Sequence, residues 1–342
     1  MELTRRSFLK GGTVFAVGAL GAFALNGCSS GDNGAADLSN ADTPVNGTAE
    51  VPATFGQQKV VLHRGYFTAH TPRAVAQAVV AVDESGKILA CDIEDYQFMD
   101  PTHTWKPVPN SDGDFGKGYA NDMVLISKKD NSEVMSEWMV EMASSTQPWI
   151  VSMTAIEDYA VGKMPDELTA ATVDAVSGAT LVDTDKYLKG IAAVATDDTF
   201  TIEGVFEGDP SELKFGHADV ATHGTDSFAD IVSLVHSGIF VGVSVDEFQF
   251  VDEGLAGLTP VPNSDDLFGE SYYEGLTLIS KSINSEVYTD LTGATESWLD
   301  SMVVLENSLV EQKVSDASVD SALTMPDADV YLEGAVSAAE SA

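Results

Sequence analysis

A hydroxyl placed for covalent modification stands at the end of the run Asp174-Ala175-Val176-Ser177-Gly178-Ala179-Thr180. Gly178 and Ala179 carry almost no side chain, so another protein can approach the backbone closely there and reach Thr180 Oγ. Asp174 supplies a carboxylate able to hold a metal ion or to take the hydroxyl proton. The setting suits attachment of a phosphate ester. The competing account is an ordinary turn closed by a local Ser/Thr hydrogen bond.

The run resembles the D-x-x-[ST]-G-A-T flavinylation motif of FMN-binding domains, found in flavin subunits of sodium-pumping NADH:quinone reductases and in surface lipoproteins of extracellular electron transfer. With average residue frequencies, its five fixed positions arise by chance in a chain of this length with a probability on the order of 10⁻⁴ to 10⁻³. The resemblance implies FMN joined to Thr180 by a phosphoester, with Asp174, Ser177, Gly178 and Ala179 as its immediate surroundings. It also implies a separate flavin transferase that moves FMN from FAD onto the threonine. A tempting second copy, Thr292-Gly293-Ala294-Thr295, has Thr289 where the motif wants aspartate, and reads better as the turn that opens a helix.

The elements that must position such a site lie between an export signal and the end of the chain. Arg5-Arg6 precede an uncharged, mostly apolar stretch from Gly11 to Leu25, too short to span a membrane and of the twin-arginine signal type. Leu25-Asn26-Gly27-Cys28 resembles a bacterial lipobox, with Cys28 as the acylated first residue after processing; a plain secretory signal is the alternative. Residues 28–56 are rich in Ser, Gly, Asp, Asn and Ala, without hydrophobic period, and read as a disordered tether with a reach of about 30 Å. An anchor on the outer face of the cytoplasmic membrane is therefore expected.

The whole chain carries 17 Lys+Arg against 54 Asp+Glu. Loss of residues 1–27 removes Arg5, Arg6, Lys10 and Glu2, leaving 14 against 53, a balance of −39. Nucleic acid is excluded as a partner on that charge. Cys91 is the only other cysteine and alternates with apolar neighbours as in a half-buried strand, so no disulfide is expected. The six histidines form no Cys/His cluster and no H-x-x-x-H pair, so no metal site is expected.

Much of the rest occurs twice. Pro107 to Asp112 recurs as Pro260 to Asp265, Phe115-Gly116 as Phe268-Gly269, Leu125 to Lys128 as Leu278 to Lys281, and Asn131 to Val134 as Asn284 to Val287. Two modules follow, 57–197 and 198–336. Each begins with a hairpin, Val75 to Val82 with Ile88 to Phe98 and Ile231 to Leu234 with Ile239 to Phe250. Helical periods then run over Glu133 to Met142, Pro148 to Tyr159 and Asp185 to Val194. Strands followed by helices predict an α+β class, each module a twisted antiparallel sheet with packed helices.

Comparing the copies sorts fold residues from site residues. Trp149 is matched by Trp298 in a module without the motif, so its helix face belongs to the core. Thr102-His103-Thr104-Trp105-Lys106 is replaced by Leu255-Ala256-Gly257-Leu258-Thr259, which makes Trp105 a candidate to stack on the isoalloxazine, Lys106 to stabilise the reduced ring and His103 to donate a hydrogen bond. A loop that drifted between copies is the alternative. Module two lacks the Gly-Ala pair at its counterpart, Ser318 to Thr324. There is no nucleophile–base–orienter set and no dinucleotide-binding glycine loop.

The expected protein is thus a membrane-anchored, extracytoplasmic electron carrier with covalent FMN rather than a stand-alone enzyme. A membrane-bound donor would feed it, and an extracellular or membrane acceptor would drain it. The rivals are a flavin-carrying subunit of an extracytoplasmic reductase and a flavin-free surface binding protein.

Overall fold

The computed structural model describes residues 56–70, 72–319 and 325–342. The export signal, Cys28 and the tether up to residue 55 lie outside these, as do five residues of the Ser318 to Thr324 segment. Among the described residues the order is β1 (Gln57–Phe67), β2 (Ala74–Val82), β3 (Ile88–Met99), β4 (Val124–Ser127), α1 (Ser132–Ala143), α2 (Trp149–Ala160), α3 (Pro165–Thr169) and α4 (Thr184–Val194). The second half continues with β5 (Thr201–Glu207), β6 (Lys214–Thr222), β7 (Ser227–His236), β8 (Ile239–Asp252), β9 (Leu276–Ser280), α5 (Ser285–Thr292), α6 (Trp298–Leu309) and α7 (Ala328–Ser341).

Two antiparallel sheets result, ordered β4-β3-β2-β1-β5 and β6-β7-β8-β9. The fold is mixed α and β, with helices α2 and α4 on the first sheet and α6 and α7 on the second. β2 explains how the layers stack. Its sequence AVAQAVVAV is buried at every position, and alternation splits it between two cores. Ala76, Ala78, Val80 and Val82 face the helices with Met153, Ile156 and Leu188, whereas Val79 and Ala81 meet Val232, Leu234 and Val241 of the second sheet. The sheets therefore pack face to face, with helices outside both. No helix among the described residues is long and apolar enough to cross a membrane.

Both hairpins stand where the alternation puts them. Three differences from the expected layout are informative. β5, within the range expected for the second module, pairs along β1 from Gln57↔Glu207 to His63↔Thr201 and completes the first sheet. Pro148 caps α2 instead of occupying its first turn, with φ −56 and ψ 144. The four residues missing from the second copy come out of one helix, α5 being 8 residues long against 12 for α1; that is about one helical turn, so the following helix keeps its facing.

The duplicated Pro-Val-Pro-Asn-Ser-Asp and Phe-Gly segments reach across to the opposite half. Asn110 and Asn263 both adopt left-handed φ, 61 and 64. The Asn110 amide donates to Ser227 O and that of Asn263 to Ala74 O, each at 2.6 Å. Phe115 N donates to Thr225 O and Phe268 N to Pro72 O. Between the two loops Tyr119 bridges Tyr272, its own counterpart, an exchange of like for like that resembles an isologous dimer interface. An aromatic core containing Phe98, Phe115, Phe228, Phe248 and Phe268 fills the space behind them.

Candidate functional site

The Asp174 to Thr180 segment lies between α3 and α4, and it is irregular for a reason its sequence states. A 3₁₀ turn spans Val173–Ala175. Val176 is then buried, Ser177 and Gly178 are exposed, and Ala179 is half-buried against the helical core. Gly178 has φ +99, a conformation costly for any L side chain, although a Cβ there would meet only Ala155 Cβ at 3.5 Å. Backbone conformation, not space, demands glycine. Thr180 emerges exposed.

Two side chains from the start of α2 hold this segment. Gln147 Nε2 donates to Gly178 O and to Ser152 Oγ, both at 2.6 Å. Ser152, fully buried, accepts from Thr180 N at 3.2 Å, and its Oγ lies 3.5 Å from Thr180 Oγ1, at the edge of hydrogen-bonding range. Neither residue stood out in sequence. The second half shows the contrast: Ser301, at the place of Ser152, turns its hydroxyl back onto Ser297 O of its own helix. Asp174 is exposed in the 3₁₀ turn, and among the described residues no hydrogen bond joins Asp174 or Ser177 to Thr180.

The other sequence candidates divide. Trp105 is not an open loop ring: it is 8% exposed, packs in the core that holds Trp149, Val176 and Ala179, and donates its indole N–H to Asp100 O at 2.9 Å. The ring therefore contributes to the core of the first half, and a flavin would meet only its small exposed part. His103 covers it at 5.5 Å between ring centroids and approaches Glu141 at 3.6 Å. Lys106 is exposed and pairs with Asp130 at 2.6 Å. Trp149 is a core residue as expected, while Trp298 is only half-buried. Thr292 to Thr295 closes a helix instead of opening one, since Gly293 is the left-handed cap of α5 and Ser297 the N-cap of α6.

Sequence reasoning missed the buried charges. Lys128 Nζ and Tyr187 OH both bind Asp95 Oδ2, at 2.8 and 2.5 Å. In the second half Lys281 and Tyr331 bind the two oxygens of Glu247. The neighbouring acids exchange places, for Ser127 donates to Glu94 and Ser280 to Asp246. A Glu-Asp pair thus answers an Asp-Glu pair. The repeated Ile-Ser-Lys triplet was the available signal.

A further cluster sits between the sheets. Asp219 faces Asp230 directly across β6 and β7, and His217 joins them, so that ligand-type atoms of all three lie within 4.8 Å. No metal was expected from the histidine spacing, and the charge here has protein partners. Arg64 Nη1 binds Asp230 Oδ1 at 2.7 Å, Gln77 donates to both Asp230 oxygens, and Tyr96 OH donates to Asp230 Oδ2 at 2.6 Å. Burial works to lower the His217 value, but Asp230 and Asp219 outweigh it and raise it well above the ordinary range. Burial would raise Asp230, yet Arg64 and His217 hold it far below an ordinary carboxyl. Glu94 is pushed up to about 7 by burial, against the pull of His217 and Lys129. The imidazolium offsets the facing carboxylates, which otherwise repel across the strand pair. Alternating His and Asp on a strand, two residues apart, was the sequence signal.

No family model, no curated protein and no solved structure matches this chain.

Proposed function

We propose that the chain carries one FMN as a phosphoester on Thr180 and acts as an electron carrier outside the cytoplasmic membrane, anchored through Cys28. The observation that supports this most is the glycine-turned Asp174 to Thr180 segment, which leaves Thr180 exposed while Gln147 holds Gly178 O and Ser152 holds Thr180 N. A modifying enzyme needs that combination of access and fixed geometry.

The surroundings suit a flavin. Large apolar side chains are left exposed near the segment: Val151 beside Ser152 and Val182 two residues beyond the acceptor. Uncovered apolar groups of this kind mark surfaces that expect a partner, here the isoalloxazine. In a chain of strongly negative charge the phosphate would draw on the N–H groups of Ser177 and Gly178, since those of Ala179 and Thr180 donate to Val176 O and Ser152 Oγ. Bound there, FMN supplies one- and two-electron chemistry, and the chain supplies position.

The same reading takes the halves as two copies of one FMN-binding module, the second keeping the packing but not the acceptor. The partners are a flavin transferase for maturation, a membrane-bound donor and an acceptor beyond the membrane. Intact mass of protein co-expressed with an active flavin transferase should show a single FMN adduct, lost in Thr180→Ala and retained in Thr295→Ala. An adduct that survives loss of Thr180 would sink the assignment. Cys28→Ser should release the exported protein into the soluble fraction.

A further inference from the structure

The first half buries an ammonium between two acids. Lys129 Nζ pairs with Asp92 Oδ1 and lies 3.2 Å from Glu157 Oε1. The strand register places Ser244 where Asp92 stands, opposite Val232 as Asp92 is opposite Val79. Ser282 follows Lys281 as Lys129 follows Lys128. Glu306 keeps the place of Glu157, accepting from Val245 N at 2.6 Å where Glu157 accepts from Ile93 N at 2.9 Å. One acid persists, while the lysine and the other acid have become hydroxyls.

A cavity of about 110 Å³ opens at this point, and its lining includes the polar side chains of Glu306, Ser244 and Ser282 and the apolar ones of Ile202, Leu299 and Val303. Arg64 also borders it, but all five of its N–H groups are engaged by Ser244, Gln77 and Asp230, and its charge is met by Asp230. Glu306 is 4% exposed and among the described residues accepts only from Val245 N. Buried with no cation in contact, its carboxyl is pushed up to about 8. The cavity thus lies where the first half places the Lys129 side chain, and its lining combines one carboxylate with apolar side chains, as a lysine head and stem require. Beside the hydroxyls of Ser244, Ser282, Thr199 and Thr201, that single carboxylate matches the charge of an ammonium and leaves a divalent ion uncompensated.

We infer that this cavity binds a small primary alkylammonium, the ammonium pairing with Glu306 and the stem lying along Ile202, Leu299 and Val303. Pairing requires the ionised acid, so binding releases the Glu306 proton to solvent. The charged groups facing Glu306 are Arg64 of β1 and Asp246 of β8.

The probe is n-butylammonium, titrated into the folded full-length protein and followed by calorimetry and by amide shifts of Ser244, Val245 and Ser282. Saturable binding is expected, tightening as the pH is raised from about 6.5 to about 8.5. Glu306→Gln, which keeps an acceptor for Val245 N, should weaken it about tenfold or more. Ser282→Lys should abolish it by filling the cavity with its own ammonium. Absence of saturable binding, equal binding of n-butanol, or unchanged affinity in Ser282→Lys overturns the inference. Should Glu306→Gln fail to fold, the alcohol and the lysine variant still decide.

Discussion

The two halves bury the same lysine–carboxylate–tyrosine triad, yet one residue beyond its lysine they part company. Lys128 and Lys281 are both sealed against an acid and a tyrosine. Lys129 stays in the first half between Asp92 and Glu157, and in the second a serine and a cavity replace it. Ser152 grips the Thr180 segment, whereas Ser301 bonds its own helix. Removing one partner of a buried charge cluster strands the rest at about 3–5 kcal/mol. The second half keeps the sealed triad whole, whereas it lacks both the lysine and one acid of the Lys129 cluster and leaves Glu306 without a cation in contact.

The largest expected effect tests whether the cores are alike. Trp149→Ala should cost about 3–5 kcal/mol in denaturant unfolding, and Trp105→Ala a similar amount, because both rings are buried. Trp298→Ala should cost about half as much, its ring being half-buried. Equal losses for Trp149 and Trp298 would mean that the halves pack more symmetrically than their exposures indicate.

Next comes the pH dependence, which tests the unpaired acid. Glu306 at about 8 and Glu94 and Glu157 at about 7 all lie above the ordinary 4.5, so folding takes up protons. Their contribution is complete below about 4.5 and is lost as the pH rises through 7 and 8. Stability should therefore fall between about pH 5.5 and 8.5, and Glu306→Gln should remove up to about 1.4 kcal/mol per pH unit of that slope. Thermal melts of the two proteins across this window make the check, and parallel curves would mean that Glu306 is already paired.

The smallest effect on stability carries the most functional information. Ser152→Ala removes the acceptor shared by Gln147 Nε2 and Thr180 N and should cost about 1–2 kcal/mol, yet slow FMN incorporation measured by mass at fixed transferase. Ser301→Ala should leave incorporation untouched, since its hydroxyl bonds only Ser297 O. If both variants load at the wild-type rate, Ser152 serves α2 and not the acceptor.

The long helices were legible from the period of their apolar side chains, as in α2, and the hairpins from apolar runs such as β2 joined to the next strand by a short turn. β6 was not, since KFGHADVAT points His217 and Asp219 inward, where an alternating pattern expects apolar groups. Their partners come from elements far along the chain, Arg64 being 166 residues from Asp230. The acceptor Thr180 could be read from the smallness of Gly178 and Ala179. The grip of Ser152 could not, because a serine inside a helix looks alike whether it bonds its own turn or a neighbouring loop. The burial of Trp105 could not be read either, because a residue without a counterpart in the second half can belong to the core as well as to a site.

The pairing of β5 with β1 has a consequence for synthesis. A nascent chain that has emerged through α4 holds four of the five strands of its first sheet, with β1 as a bare edge of unpaired N–H and C=O groups. That edge stays open until Thr201 to Glu207 leaves the ribosome, and the face awaiting the second sheet stays uncovered longer still. The half that bears Thr180 cannot finish folding ahead of the other, so a ribosome stalled after residue 197 should display a protease-sensitive, chaperone-binding chain.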